Sequence, residues 1–358
     1  MYGNDNTNDS KNQELTFLED SYIGKRGSVK VRPWREKKMA NELLAVAYDE
    51  VDRGKASRLR ECGKVLSFKV FADGSKKLDR MTSCRVRLCP LCTWRKSLVN
   101  FANNIEIVNY VEAQKPRGWL FATFTLKRCT GSDLSEQIDR VLYAYKKLLL
   151  NTRVKAAVKG AYRGLEITHD CEEFITAETM KRRGKYLKSL GFGVGDRNPT
   201  FDTYHVHIHA IFCVNVSYFK NSVYMNQAEW AEAWAQALGV DYEPVVDIKR
   251  IKPKDGSMSG AVGEVSKYAT KSSDFLVPHD WDLTVETVRL LDRVLAKRRF
   301  ISYSGELLKA QRALKLKDAD EADLTHIKGE YADSNEPFKI VTYFWYTGYR
   351  QYGTKERG

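Results

Sequence analysis

The stretch YHVHIHAIFCV, from Tyr204 to Val214, decides the fold of this chain, because it reads as a buried strand that also carries histidines. Three of the six histidines of the chain lie within five of its residues. Side chains alternate between the two faces of a strand, so His205, His207 and His209 share one face and the residues between them occupy the other. Imidazoles on one face can share a metal ion, and hydrogen bonding at a sheet surface is the alternative.

A carboxylate on a neighbouring strand can complete such a metal site. Glu166 lies inside the apolar run GLEIT, and buried carboxylates are rare unless they are paired or bind a metal. A solvent-facing Glu166 on a half-exposed strand is the alternative interpretation. The sequence therefore predicts metal ligands among His205, His207, His209 and Glu166.

The charge of the chain favours a polyanionic partner. Its 358 residues include 59 Lys and Arg against 46 Asp and Glu, a formal charge of +13, and such an excess attracts nucleic acid through counterion release. The opening MYGNDNTNDSKNQ lacks the layout of a secretory signal, and no window approaches the ~20 apolar residues of a membrane span. These patterns predict a cytoplasmic protein that binds nucleic acid and no membrane.

Four of the seven cysteines form a second candidate metal site. Cys84, Cys89 and Cys92 lie in CRVRLCPLC, and Cys62 lies upstream in ECGKV. The CPLC turn lets two thiolates meet one ion, and four cysteines suit a tetrahedral structural Zn²⁺. Free buried cysteines are the alternative.

Basic and aromatic residues accompany the cysteine motif. Such a composition suits contacts with the DNA backbone and stacking on bases, and a solvated rim of charges is the alternative. The candidate DNA-contacting residues here are Arg85, Arg87, Trp94, Arg95 and Lys96.

The segment GEVSKYATK, Gly263 to Lys271, carries a third constellation. On a helix, Glu264 and Tyr268 lie one turn apart on the same face. Alone, this pair is commonplace surface decoration. Near a metal site, however, a phenolate is a competent nucleophile toward phosphorus, and a carboxylate can deprotonate an attacking group. Lys267 and Lys271 are candidate DNA contacts on the same segment.

Apolar periodicity predicts an α+β protein with helices packed on one sheet, whose neighbouring strands can be parallel or antiparallel. An amphipathic helix over 35–51 has Met39, Leu43, Val46 and Ala47 on its predicted apolar face. Predicted strands cover 119–126, 162–169, 204–214 and 244–251, and further predicted helices cover about 134–149, 176–190, 226–238, 260–271 and 284–297.

The combination of these motifs resembles a known family. FATFTL, HVHIHAIF and EVSKYATK follow the cysteine motif in the order found in the replication initiators of small rolling-circle plasmids of Gram-positive bacteria, within the HUH endonuclease superfamily. The resemblance covers the chain from about Arg32 onward. It implies a HUH fold, with a central antiparallel sheet flanked by helices, a four-cysteine zinc module and a C-terminal extension.

The resemblance also implies roles for individual residues. His207 and His209 hold a divalent ion, Mn²⁺ or Mg²⁺, and one of the two other candidate ligands completes its shell. Tyr268 joins covalently to the 5′ phosphate at the nick, and Glu264 stands in the place of a second tyrosine and activates water for a terminating hydrolysis. The implied partners are plasmid origin DNA, single-stranded or extruded at the nick site, and a host helicase and DNA polymerase.

The organisation implied in this way has four parts: a flexible arm and helix over 1–55, a zinc-binding module over 56–100, a HUH nicking domain over 101–280, and a C-terminal helical and strand extension over 281–358. A conjugative relaxase or single-strand transposase would share the metal and tyrosine chemistry, but the cysteine module and Glu264 argue against both. A zinc-stabilised DNA-binding regulator without nuclease activity is the alternative of a different class.

Overall fold

A computed structural model of the chain describes residues 15–23, 29–252, 260, 262–263, 266, 271–272, 275–277, 279–328 and 337–355. Within these residues, two five-stranded sheets and a short two-stranded ribbon are flanked by helices. The first fourteen residues of the predicted arm, and most of the helix predicted over 260–271, lie outside the described residues.

The central sheet is assembled mainly from the middle of the chain. Its strands are β6 (Arg117–Thr125), β7 (Val158–Asp170), β8 (Thr203–Asn215), β9 (Val246–Arg250) and β10 (Ile301–Ser304). They lie in the order β10-β7-β8-β6-β9, and every neighbouring pair is antiparallel. The α+β class is therefore confirmed. The sequence left open whether neighbouring strands are parallel or antiparallel, and in the central sheet they are antiparallel. This arrangement is compatible with a HUH-type fold.

The helices cover both sheets and join them. They are α1 (Trp34–Asp49), α2 (Arg53–Glu61), α3 (Pro90–Gln114), α4 (Leu134–Leu150), α5 (Thr152–Ala157), α6 (Ala177–Ser189), α7 (Gln227–Leu238), α8 (Trp281–Val294) and α9 (Gly305–Ala313). None of the helices in the described part of the chain combines the length and the apolar composition needed to cross a bilayer.

The strand β8 lies in the middle of the central sheet, so both of its faces are covered. On one face, the ring of Phe212 stacks on Trp230 of α7 at 5.4 Å between centroids and on Tyr145 of α4 at 6.4 Å. On the other face, Ile211 packs in a separate apolar cluster with Ile107 of α3. The histidines of β8 lie on this second face, because they are separated from Ile211 by an even number of positions and from Phe212 by an odd number.

The second sheet combines strands from both ends of the chain. These strands are β1 (Leu15–Phe17), β4 (Val65–Phe71), β5 (Lys76–Met81), β11 (Phe338–Tyr346) and β12 (Gln351–Lys355), in the order β1-β12-β11-β4-β5. The ribbon pairs β2 (Ser21–Ile23) with β3 (Val29–Val31). One face of the sheet packs on α1, where the rings of Phe68 and Trp34 meet edge to face at 6.0 Å.

The predicted apolar face of α1 is correct only in part, because Ala47 is buried and Met39 is half-buried. Leu43 and Val46 are about half exposed, whereas Lys38 and Asn41 are fully buried. The physical reason is that α1 turns its polar residues toward the four-cysteine cluster, where they find hydrogen-bond partners. The buried face of α1 therefore combines these two polar residues with Trp34, Leu44 and Tyr48.

Candidate functional site

The first candidate site lies where β7 and β8 pair. The antiparallel register places Glu166 directly opposite His207. The Oε2 atom of Glu166 lies 3.2 Å from Nε2 of His207 and 2.8 Å from Nε2 of His209. The three side chains thus converge on one point above the sheet, as expected for residues that share a face on adjacent strands.

These three residues form a donor set that could hold a metal ion. One ligand atom from each lies within 4.8 Å of the others. Two imidazole nitrogens and a carboxylate oxygen suit a divalent cation, and adjacent ligands of an octahedral ion with ~2.1 Å bonds are ~3 Å apart. The observed separations of 2.8 and 3.2 Å match that requirement.

Neighbouring groups fix the orientation of the two imidazoles. Thr123 of β6 lies opposite His209, and its Oγ1 is 3.0 Å from the Nδ1 of that ring. The Nδ1 of His207 lies 3.4 Å from the backbone oxygen of His205. With an ion bound, each Nδ1 can donate its proton to these neighbours, which leaves the Nε2 lone pair for the metal. Without an ion, the Nε2–H groups donate to Glu166.

The electrostatics keep Glu166 ionised. Burial by itself raises the pKa of this carboxyl, but hydrogen bonds from His207 and His209 outweigh it, and the pKa lies well below its ordinary value. The site therefore offers an anionic oxygen beside two imidazoles, a combination that attracts a cation.

The fourth predicted ligand, His205, is not one of the three residues that converge. Its ring centroid lies 5.3 Å from that of His207, one step further along β8. Burial, together with the nearby charges of His207 and Arg128, lowers its pKa to about 4. His205 thus lies beside the cluster as a neutral imidazole.

Parts of the GEVSKYATK segment lie over the same face of the sheet. Val262, just before the segment, packs in the apolar cluster that contains Ile211 of β8. Ser266 accepts a hydrogen bond of 3.0 Å from Asn104 of α3. The ammonium of Lys271 lies 3.6 Å from Oε1 of Glu166, so the end of the segment reaches the candidate metal site.

Three predicted site residues of that segment cannot be placed. Glu264, Lys267 and Tyr268 lie outside the described residues. Their roles stay predictions, and the described residues on either side of them are those that contact the sheet face of the histidines.

The second candidate site is the four-cysteine cluster. The sulfur of Cys62 lies 3.6 Å from that of Cys89 and from that of Cys92, and Cys84 lies 3.8 Å from Cys92. A tetrahedral ion with ~2.3 Å bonds to thiolates requires sulfurs ~3.8 Å apart. The spacing therefore suits one metal ion, and it is far longer than the ~2 Å of a disulfide.

Polar residues support this cluster from α1. Asn41 donates to the sulfur of Cys89 at 3.3 Å, and the buried ammonium of Lys38 donates to the backbone oxygen of Cys62 at 3.0 Å. The backbone N–H groups of Cys84 and Val86 lie 3.4 Å from cluster sulfurs. Burial raises the pKa of the Cys89 thiol, so a cation is what would hold these sulfurs as thiolates.

Two basic residues near the cysteines are corrected by the structure. Arg95 is fully buried and donates to two backbone oxygens of the segment 324–325. Lys96 is also buried, with its ammonium 2.6 Å from the carboxylate of Asp320. Because both side chains are enclosed and paired within the chain, we replace their predicted DNA contact with a structural role.

The other residues of that predicted DNA-contacting group are also engaged within the chain. Arg85 donates to the backbone oxygen of Asp320 at 2.7 Å, and Arg87 lies 3.6 Å from the carboxylate of the same residue. The ring of Trp94 packs edge to face on Trp34 at 4.7 Å. Arg85 is exposed, and the DNA contact of Arg85, Arg87 and Trp94 stays a prediction.

Sequence reasoning missed the residues that orient the ligands. Thr123 lies in the predicted strand FATFTL, and placing that strand antiparallel to HVHIHAIF would have set it beside a histidine. Lys38 and Asn41 are polar residues three positions apart on one helix face. This spacing could have indicated that both side chains support one polar site. Their partners arise from sequence separations of 24 and 48 residues, which no local pattern reveals.

The contact between Thr123 and His209 yields a test of the metal site. Thr123→Val removes the hydroxyl at nearly constant volume, and we expect the affinity for Mn²⁺ to fall about 10- to 100-fold, the usual cost of losing an outer partner of a metal-binding histidine. Thr123→Ser keeps the hydroxyl and is the matched control. Isothermal titration of both variants checks this, and a Val variant that binds Mn²⁺ as tightly as the wild type would contradict the assignment.

Comparison with known proteins identifies the family of this chain. Residues 75–353 match a family model described as Replication protein. A Protein rep of Bacillus amyloliquefaciens is 33% identical, over 96% of this chain and 98% of its own length. A Protein rep of a Bacillus sp. is 35% identical over 76% of this chain and 85% of its own length.

A more distant relative spans nearly the whole chain. The Protein rep of Streptococcus pneumoniae serotype 2 is 29% identical over 97% of this chain and 98% of its own length. No solved structure gave a significant match. With a family model that covers most of the chain and relatives that align almost from end to end, this chain belongs to the Rep family of replication proteins.

Proposed function

We propose that this protein initiates rolling-circle replication of a plasmid by nicking one strand of the origin DNA. The observation that carries the proposal is the convergence of Glu166, His207 and His209 beside Lys271. A cation site next to an ammonium is suited to a phosphodiester, whose negative charge both groups attract. The membership in a replication protein family supplies the biological setting.

Tyr268 is the proposed nucleophile. It lies three residues before Lys271 in the sequence, and three extended residues span at most ~11 Å. Since Lys271 reaches Glu166, a tyrosine so close to it in sequence is within range of the phosphate that the site would hold. Two observations support this assignment besides the short distance in sequence between Tyr268 and Lys271. Val262 packs in the apolar cluster that contains Ile211, and Ser266 accepts a hydrogen bond from Asn104 of α3.

The proposed reaction is a transesterification. When bound by Glu166, His207 and His209, a divalent cation such as Mn²⁺ or Mg²⁺ would supply Lewis acidity at the scissile phosphate. The phenolic oxygen of Tyr268 attacks phosphorus, and the bond from phosphorus to the 3′ oxygen breaks. The phenolic proton is lost, the 3′ oxygen leaves with a proton as a free hydroxyl, and the 5′ phosphate stays on the tyrosine. A polymerase can then extend that hydroxyl.

Glu264 is proposed to end the cycle. It precedes Tyr268 by four residues, which on a helix places it one turn away. As a general base, its carboxylate would take a proton from a water molecule that attacks the phosphotyrosine bond. Hydrolysis would release the protein after strand transfer has closed the circle.

The cysteine cluster is proposed to bind Zn²⁺ as a structural ion. The four sulfurs, with contacts of 3.6 to 3.8 Å between them, leave no open position for substrate, and closed sites of four cysteines are typical of structural zinc. The same proposal includes the four-part organisation of the chain and its cytoplasmic location. It also includes a host helicase and a DNA polymerase as partners.

The nucleophile is tested by trapping the covalent product. Incubation of the full chain with a single-stranded origin oligonucleotide and Mn²⁺ should produce a protein–DNA adduct, visible by intact-protein mass spectrometry. Tyr268→Phe removes a single hydroxyl, so we expect it to abolish the adduct while DNA binding is preserved.

Another tyrosine provides the control. Tyr143 is exposed on α4, which packs on the face of β8 opposite the metal ligands, so Tyr143→Phe should leave the adduct unchanged. An adduct that persists in Tyr268→Phe would refute the nucleophile assignment. DNA binding without any adduct in the wild type would favour the zinc-stabilised regulator.

The structural metal is tested by its stoichiometry. Cys89→Ser should lower bound zinc from about one ion per chain to near zero and destabilise the fold, because ligand binding and folding are coupled at such sites. Cys171→Ser, outside the cluster, should keep the zinc. Metal analysis by mass spectrometry with thermal unfolding checks both, and unchanged zinc in Cys89→Ser would be incompatible with the four-cysteine site.

A further inference from the structure

The outer face of the second sheet carries a row of exposed aromatic rings, which we call the aromatic face. Phe338, Phe344 and Phe17 are 48%, 49% and 41% exposed. Large apolar residues scattered singly over a surface are ordinary, but a group on one sheet face marks an interaction site. The face is defined by Phe17, Phe71, Phe338, Ile340, Phe344 and Tyr346.

The strand register explains how these rings are aligned. Phe338 pairs with Phe71 of β4, and their ring centroids lie 6.0 Å apart. Phe344 and Phe17 lie on either side of Gly353, which pairs with both. Two strand spacings, ~10 Å, separate these two phenylalanines.

The floor between the two rings is apolar and shallow. Gly353 has no side chain, and a Cβ added there would lie 3.0 Å from the side chain of Leu15. The ring of Tyr349, 66% exposed, lies 5.7 Å from that of Phe17 and extends the aromatic surface beyond the sheet. The side chain of Leu15 thus fills the space above Gly353, and the result is an apolar surface on which flat groups can stack from outside.

Positive charge surrounds these rings. By strand register, four cations share the face of these rings, Lys69, Lys77, Arg80 and Lys355, whereas Lys76 and Lys339 lie on the other face. The single carboxylate of the five strands, Asp79, lies 3.6 Å from Lys69. The ammonium of Lys69 lies 4.6 Å from the centroid of the Phe338 ring, and the side chain of Arg80 is 86% exposed. A ligand that suits this face must therefore combine flat apolar groups with regularly spaced negative charge.

We propose that the aromatic face binds single-stranded DNA by stacking unpaired bases on Phe338, Phe344 and Phe17, with its cations on the phosphates. In a duplex, the bases stack on each other and offer no free face, so a stacking surface selects unpaired strands. Phe338 and Phe344 lie six residues apart on one strand, ~20 Å, a distance that about three nucleotides of an extended single strand can span. The proposal gives the displaced or extruded strand a site on a sheet other than the one that carries the metal ligands.

This inference rests on the chain acting on DNA, as its family does, but not on Tyr268 or on cleavage. It is tested with a labelled oligo-dT of about 15 nucleotides in EDTA, a probe that has no origin sequence and no metal for cleavage. Fluorescence anisotropy gives the affinity of the full chain. We expect Phe338→Leu combined with Phe344→Leu to weaken binding about 10-fold or more, because leucine keeps the apolar area and loses the stacking.

Two controls separate stacking from general damage. Phe338→Tyr combined with Phe344→Tyr keeps both rings and should bind within about twofold of the wild type. Tyr143→Leu changes an aromatic residue on α4 that is 64% exposed, and should not alter binding. Since all of these side chains are exposed, thermal unfolding should be nearly the same for every variant.

Specific outcomes would overturn the proposal. The first is a wild-type protein that does not bind oligo-dT, and the second is a pair of Leu substitutions that leaves the affinity for oligo-dT unchanged. The third is an equal loss of affinity for a duplex of the same length, which would indicate contact with phosphates alone. Loss of self-association in place of oligo-dT affinity would identify a protein interface instead. Adduct formation is measured separately, so failure of the cleavage proposal would leave the oligo-dT result interpretable.

Discussion

The pairing of β7 with β8 is the interaction on which the rest of the structure depends. Its register places Glu166 opposite His207 and, on the other face, buries Phe212 among aromatic rings of α4 and α7. A slip by one residue would exchange the two faces, driving imidazoles into the aromatic core and exposing that core to α3. Packing on one face of β8 thus fixes the geometry of the metal ligands on the other face. The ligands are brought together by folding, so metal binding does not have to supply that free energy.

The cysteine cluster connects parts of the chain that are far apart in sequence. It gathers the end of α2, the loop after β5 and the start of α3 around one point, while Arg95 and Lys96 bind the segment 320–325 beside it. The chain then returns to pair β11 with β4. Arg95 and Lys96, which were predicted to contact DNA, therefore link the C-terminal part of the chain to the cluster. The exposed aromatic residues of β11 are a further candidate DNA surface.

Much of the fold and of the metal site could be predicted, because their signals are local. Alternation in YHVHIHAIFCV places the histidines on one face, and apolar periodicity gives the central strands and most helices. The strands β4 and β5 were missed, although LSFKV alternates apolar and polar residues and so carries a strand signal. KKLDRM lacks such alternation, because β5 lies at the sheet edge and pairs only with β4, which in turn pairs with β11 from the far end of the chain. For the same reason, the sequence could not show that Arg95 is buried or that Thr123 contacts His209. Which of the candidate ligands converge is likewise a property of strand register, and it separates Glu166 from His205.

The central claim is that Glu166, His207 and His209 bind one divalent cation. Pulsed electron paramagnetic resonance of Mn²⁺ bound to the full chain measures this directly, because coordinated imidazole nitrogens couple to the unpaired electrons. The account predicts nitrogen couplings from two imidazoles in the wild type, one in His209→Ala, and two in His205→Ala. A spectrum that shows only water protons, or nitrogen couplings that are unchanged in His209→Ala, would contradict it.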